Sequence, residues 1–192
     1  MPSFNIHLAI AKLYAKRARV KDLTAFYKGT VDPDLTDNKD KTHYGVPFDH
    51  YENAWVRFGN KVNLTKFLMH NTVDGDYGLG KFLHLVVDKK FFEEFFGKER
   101  LLQEDDNKFR ADLYYSYGVL NPYLIKRYNL NDICIDKTYM DNRIQQTSDW
   151  ANSVKRNLNY TPKCIIGVKR LDEFICEMAD VDLESIIHLY DT

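Results

Sequence analysis

An all-α fold follows from three features of the sequence. Apolar residues recur at a period near 3.6 over most of the chain, one segment is apolar round almost its whole circumference, and only Cys164 to Val168 reads as a strand. The 192 residues are 44% hydrophobic and 29% charged, which supplies one sizeable core, so a single helical domain over 1–192 is expected. No repeat, low-complexity tract or domain linker interrupts it.

Ser3 stands where an N-cap belongs, and Phe4, Ile6, Ile10, Leu13 and Tyr14 follow at helical spacing, which predicts an amphipathic helix over residues 4 to 18 with His7 in its second turn. A short helical piece from Asp22 to Tyr27 ends at Gly29. The stretch from Gly29 to Phe48 is rich in turn formers (Pro33, Asp34, Asn38, Gly45, Pro47) and is predicted to be a long loop holding Asp32, Asp34 and His43. Loops beyond about 12 residues are uncommon in a compact domain unless functional. Helical patterns return at Tyr51 to Phe58 and Val62 to His70, and the Asp74 to Gly78 break announces the most apolar helix, Leu79 to Phe96. Its middle, Phe82 to Asp88, marks a helix at the centre of a bundle. Further helices are predicted at Phe109 to Tyr117, at Pro122 to Tyr128 with Asn121 as cap, and at Asn142 to Leu158, Leu171 to Met178 and Leu183 to Tyr190.

Charge excludes some partners. Twenty-seven basic residues against 28 acidic ones leave a net charge of −1, with no global field to gather a nucleic-acid polymer. Lys12, Lys16, Arg17 and Arg19 read as a solvated helix face. No segment reaches the roughly 20 apolar residues of a membrane span, and the opening residues lack an export pattern, so a cytoplasmic location is expected. Cys134, Cys164 and Cys176 are widely spaced and form no CxxC motif, which predicts reduced core thiols rather than disulfides or a thiolate zinc site.

The chemistry concentrates in the first half. His84 and Asp88 are four residues apart on the apolar helix, so both leave one face within reach of a single ion. A buried carboxylate there needs a partner, either a divalent cation or the neighbouring imidazole itself. His7 on the first helix, Asp34 after Pro33 and His43 nine positions later bring the donors to three imidazoles and two carboxylates, enough for one ion with open positions or for two. Taken singly, each also has a plain reading as a core histidine or a turn former.

In this order, His7, Gly29-Thr-Val-Asp-Pro-Asp34, Thr-His43 and His84-x-x-x-Asp88 resemble the zinc-dependent phospholipase C family, an all-helical fold related to the S1/P1-type nucleases. The opening Met-Pro-Ser-Phe-x-Ile-His is similar to that of small intracellular members. The resemblance covers about the first half of the chain. It implies that Asp34, His43, His84 and Asp88 hold one metal and that His7 with Asp88 holds a second, as Zn²⁺ or else Mn²⁺ or Fe. The secreted members begin with a metal-binding Trp and carry two more His and a Glu for a third ion, whereas here no His lies between His84 and His188. A third site is therefore expected to be absent or built differently, with Asp112 as a candidate.

The resemblance implies hydrolysis of a phosphoester, a small molecule or a phospholipid head group, by metal-activated water. No G-x-S-x-G elbow, P-loop or Rossmann glycine pattern competes with it. Asp32 is a candidate general base or partner of a ligand His, and His50 a candidate acid or extra ligand. Tyr114, Tyr115 and Tyr117 line either a pocket or the core. The alternative is a metal-stabilised helical protein-interaction module without catalysis, and the last a plain helical protein whose His and Asp residues stay apart.

Overall fold

The computed structural model describes residues 2–36, 38–46, 52–133, 135, 138, 141, 145, 149 and 160–190. Among these the chain is mostly helical: α1 (Phe4–Arg17), α2 (Leu23–Val31), α3 (Lys39–His43), α4 (Leu64–His70), α5 (Gly75–Lys90), α6 (Lys98–Gln103), α7 (Asp106–Tyr128), α8 (Val168–Ala179) and α9 (Leu183–Tyr190). The described residues contain no strand, only an isolated antiparallel bridge between Tyr44 and Val62. None of their helices is long and apolar enough to cross a membrane.

Helices α1, α2 and α5 form the centre. In α5 every residue from Phe82 to Asp88 is buried, so the apolar circumference seen in the sequence does mark a central helix. It crosses α2 at very short range. A Cβ on Gly29 would lie 2.1 Å from the Tyr77 carbonyl oxygen, and one on Gly80 would lie 2.2 Å from that of Phe26. Two glycines thus let the backbones meet where any side chain would hold them apart. Asp22 caps α2 by accepting from the Ala25 N–H at 2.9 Å.

Several expectations are revised. The segment predicted as a long loop is largely helical: α2 runs on through Gly29 to Val31, a 3₁₀ turn covers Asp32–Asp34, and α3 ends at His43. Pro33 at the start of the turn needs no N–H partner there, so a turn former also serves as a helix starter. The two helices predicted around Asn121 and Pro122 are one helix, α7, with Pro122 inside it. A mid-helix proline costs about 3 kcal/mol, and burial of Leu120 and Leu124 on either side recovers about 1.5–3 kcal/mol each. Cys164 and Cys176 are exposed rather than in the core, and Cys134 lies outside the described residues. Residues 164–167 are irregular, not a strand. The helix predicted over 142–158 falls almost wholly outside the described residues. As expected of a solvated face, Arg17 pairs with Asp180 at the surface.

Candidate metal centre

The five donors named from the sequence converge. His7 comes from α1, Asp34 from the 3₁₀ turn, His43 from the end of α3, and His84 and Asp88 from one face of α5. All are buried, none more than 5% exposed. Asp88 places one oxygen 3.1 Å from His7 Nε2 and the other 3.2 Å from His43 Nε2 and 3.7 Å from His84 Nε2. His43 Nε2 lies 3.7 Å from Asp34 Oδ1 and 3.1 Å from His84 Nε2. The rings of His7 and His84 stack, their centroids 4.0 Å apart.

Backbone carbonyls decide which ring nitrogens carry protons. Helix α2 leaves its last carbonyls without helical partners, and Thr30 O accepts from His84 Nδ1 at 2.7 Å. A carbonyl oxygen can only accept, so Nδ1 holds the proton and Nε2 turns a bare lone pair inward. The glycine crossing of α2 and α5 is what brings Thr30 within reach. At His43, Nδ1 lies 3.1 Å from Lys39 O, and the Thr42 hydroxyl donates 2.8 Å to Pro33 O. His43 Nδ1 therefore donates as well, and its Nε2 is bare. Two bare nitrogens then face each other at 3.1 Å, with a carboxylate oxygen beside both.

Such an array of lone pairs repels itself unless a cation sits among them. Neither oxygen of Asp88 and neither ring nitrogen of His7 has a well-aligned hydrogen-bond partner among the described residues, although both are buried. The short His7–Asp88 approach is thus proximity without a proper hydrogen bond. Ligands at 2.0–2.1 Å around a tetrahedral ion stand about 3.3–3.4 Å apart, and the spacings here run from 3.1 to 3.7 Å. Donor type, burial and spacing fit a divalent ion. Tested as compact triads, the ligand atoms of His7, Asp34 and His84 lie within 4.8 Å of one another, as do those of His43, His84 and Asp88. His84 is common to both triads, while Asp88 spans from His7 to His43.

Burial pushes the His84 pKa down, to about 3, helped by the neighbouring His7 and opposed by Asp88 and Asp34, so the ring is neutral as a ligand must be. Burial by itself would raise Asp88 and Asp34. Lys39 leads the groups that hold Asp34 below the usual carboxylate range against that burial.

Asp32, His50, Asp112 and the tyrosine cluster are the remaining candidates. Asp32 accepts the Tyr77 hydroxyl at 2.8 Å. His50 lies outside the described residues. Asp112 is occupied, one oxygen accepting from Tyr160 Oη at 2.7 Å and the other from Lys163 N at 2.8 Å. It fastens residues 160–163 onto α7 and is not placed as a third-metal ligand. Of the tyrosines, Tyr115 is exposed, while Tyr117 is buried, its pKa pushed up by that burial and then by Tyr114, Asp88 and Asp34.

The sequence reading missed Lys39, whose Nζ is 2.8 Å from Asp34 Oδ1, and the carbonyls of Thr30 and Lys39. Lys39 stands four residues before His43, a spacing that would have flagged it had α3 been foreseen as a helix. A backbone carbonyl leaves no signal in residue identity. Comparison of the chain with protein-family models, with curated proteins and with solved structures finds no match. The likeness to phospholipase C therefore rests on the sequence motifs alone.

Proposed function

We propose that the protein is a metal-dependent hydrolase of phosphoesters, phospholipase C-like, with His7, Asp34, His43, His84 and Asp88 as metal ligands. The observation that carries this reading is the pair of bare Nε2 atoms of His43 and His84, 3.1 Å apart beside the unpartnered oxygens of Asp88. Zn²⁺ is the expected ion, with Mn²⁺ or Fe as alternatives, since imidazole and carboxylate donors suit all three. When bound, one or two such ions supply Lewis acidity toward a phosphoryl oxygen and acidify a water for in-line attack. The chain's own residues do the rest. Thr30 O and Lys39 O hold His84 and His43 in the tautomer that offers Nε2, and Asp88 reaches from one imidazole group to the other.

Burial of all five donors favours a second reading, a metal-stabilised module in which the ion ties α1, α3 and α5 together and the surface binds a partner protein. The absence of thiolate from the donor set speaks for the hydrolase, because structural zinc sites are built largely on cysteine. The test is elemental analysis of protein purified without a metal-binding tag, followed by assay on p-nitrophenyl phosphate, bis-p-nitrophenyl phosphate and phosphatidylcholine vesicles. The hydrolase reading expects about one or two equivalents of metal and turnover of at least one ester, both lost in His84→Ala. Metal without turnover selects the module. A folded protein that takes up no Zn²⁺, Mn²⁺ or Fe²⁺ defeats both.

A further inference from the structure

Lys39 differs from everything else at the site in being partly open to solvent. Its side chain is 31% exposed, against 6% for its partner Asp34 and 0% for His43, His84 and Asp88. The residue is tied to the donors twice. Its ammonium lies 2.8 Å from Asp34 Oδ1, and its carbonyl accepts the Nδ1 proton of His43 at 3.1 Å. Backbone and side chain together place a cation between solvent and the buried carboxylates.

The charge balance gives that cation a second task. With ligating imidazoles neutral, the two carboxylates and one ammonium sum to −1, and the ammonium offsets part of the buried negative charge. One divalent ion changes the sum to +1, and a second to +3. An ammonium held against Asp34 then competes with an ion for the same carboxylate. A flexible four-carbon stem lets it leave toward solvent without disturbing the Lys39 carbonyl that holds His43.

Resting on the hydrolase reading, we infer that Lys39 is a substrate-binding residue that recognises the phosphoryl anion. In the metal-free chain its ammonium neutralises Asp34. In the loaded protein it turns to a non-bridging phosphoryl oxygen, so that one ammonium serves whichever anion lacks a counter-charge. The neighbouring ion pair, in which Lys61 from the segment before α4 reaches Asp40 on α3 at 2.9 Å, involves none of the five donors and serves as an internal control.

The experiment titrates inorganic phosphate into Zn²⁺-loaded protein by calorimetry, with metal content checked before and after. Lys39→Met is compared with Lys39→Arg and with Lys61→Met. Loss of a charge-assisted hydrogen bond predicts phosphate binding weaker by about 10- to 100-fold in Lys39→Met, partial retention in Lys39→Arg, and no change in Lys61→Met. Freed of a competing ammonium, Lys39→Met also binds Zn²⁺ as tightly as the unaltered protein or more tightly. Equal phosphate affinity in Lys39→Met and the unaltered protein overturns the inference and leaves the hydrolase reading standing. Failure of loaded, unaltered protein to bind phosphate overturns the inference together with the phosphoester reading.

Discussion

Two buried carboxylates, Asp88 on α5 and Asp112 on α7, are treated in opposite ways. Both are at most 5% exposed. Asp112 has a donor on each oxygen, the Tyr160 hydroxyl and the Lys163 N–H, and Ser116 one turn further on accepts from Ile165 N at 2.9 Å. That region is a self-contained hydrogen-bonded clip. Asp88 is surrounded by imidazoles, yet its oxygens lack an aligned partner, and two of those imidazoles point lone pairs at it. A buried charge costs several kcal/mol unless compensated. The clip is compensated within the chain, whereas the α5 carboxylate has no aligned partner among the described residues.

The largest effect that separates them is metal dependence. Adding Zn²⁺ at 1,000-fold its Kd stabilises the unaltered protein by about 4 kcal/mol, or about 8–16 °C in Tm for a domain of this size. Asp88→Ala abolishes that gain. Asp112→Asn lowers Tm by the equivalent of about 1–3 kcal/mol and does so equally with and without metal. A metal-independent loss in Asp88→Ala, equal to that of Asp112→Asn, would erase the distinction.

A smaller effect tests how the site is assembled. In Gly80→Ala the new Cβ meets Phe26 O at 2.2 Å and Thr30 N at 2.9 Å, so α2 must move away from α5. Overpacking of this kind costs about 1–3 kcal/mol, and the shift also draws Thr30 O from His84 Nδ1, so Zn²⁺ affinity falls with stability. Unchanged affinity in a destabilised Gly80→Ala would show that the carbonyl does not hold the imidazole.

The smallest expected effect is on pH. In the unfolded chain His84 binds a proton below its ordinary value of 6.5, whereas in the fold it stays neutral down to about 3. Within that window the unfolded state binds more protons, so metal-free protein loses stability as pH falls below 6.5 and keeps it in full above. The slope is at most about 1.4 kcal/mol per pH unit. Thermal melts of chelated protein at pH 7.5 and 5.5 measure it, and His84→Gln flattens the difference.

Much of this was legible in the sequence. The all-α class, the central position of α5 and the bounds of α1, α4 and α9 follow from apolar periodicity, because burial of one stripe or of a whole circumference is written directly in residue order. His84 and Asp88 share a face because an α-helix repeats every 3.6 residues. What periodicity does not contain is the meeting of separate elements. Convergence of His7, Asp34 and His43 on the α5 pair, the exposure of Cys164 and Cys176, and the occupation of Asp112 by Tyr160 are contacts between segments far apart in the chain. The Pro122 break failed as a prediction because local backbone preference was outweighed by burial of its neighbours. Sequence alone determined which residues are chemically able to bind a metal. The tertiary structure decided that their lone pairs face one another, because the Thr30 carbonyl that directs His84 belongs to the backbone of α2 and comes within reach only through its close packing on α5.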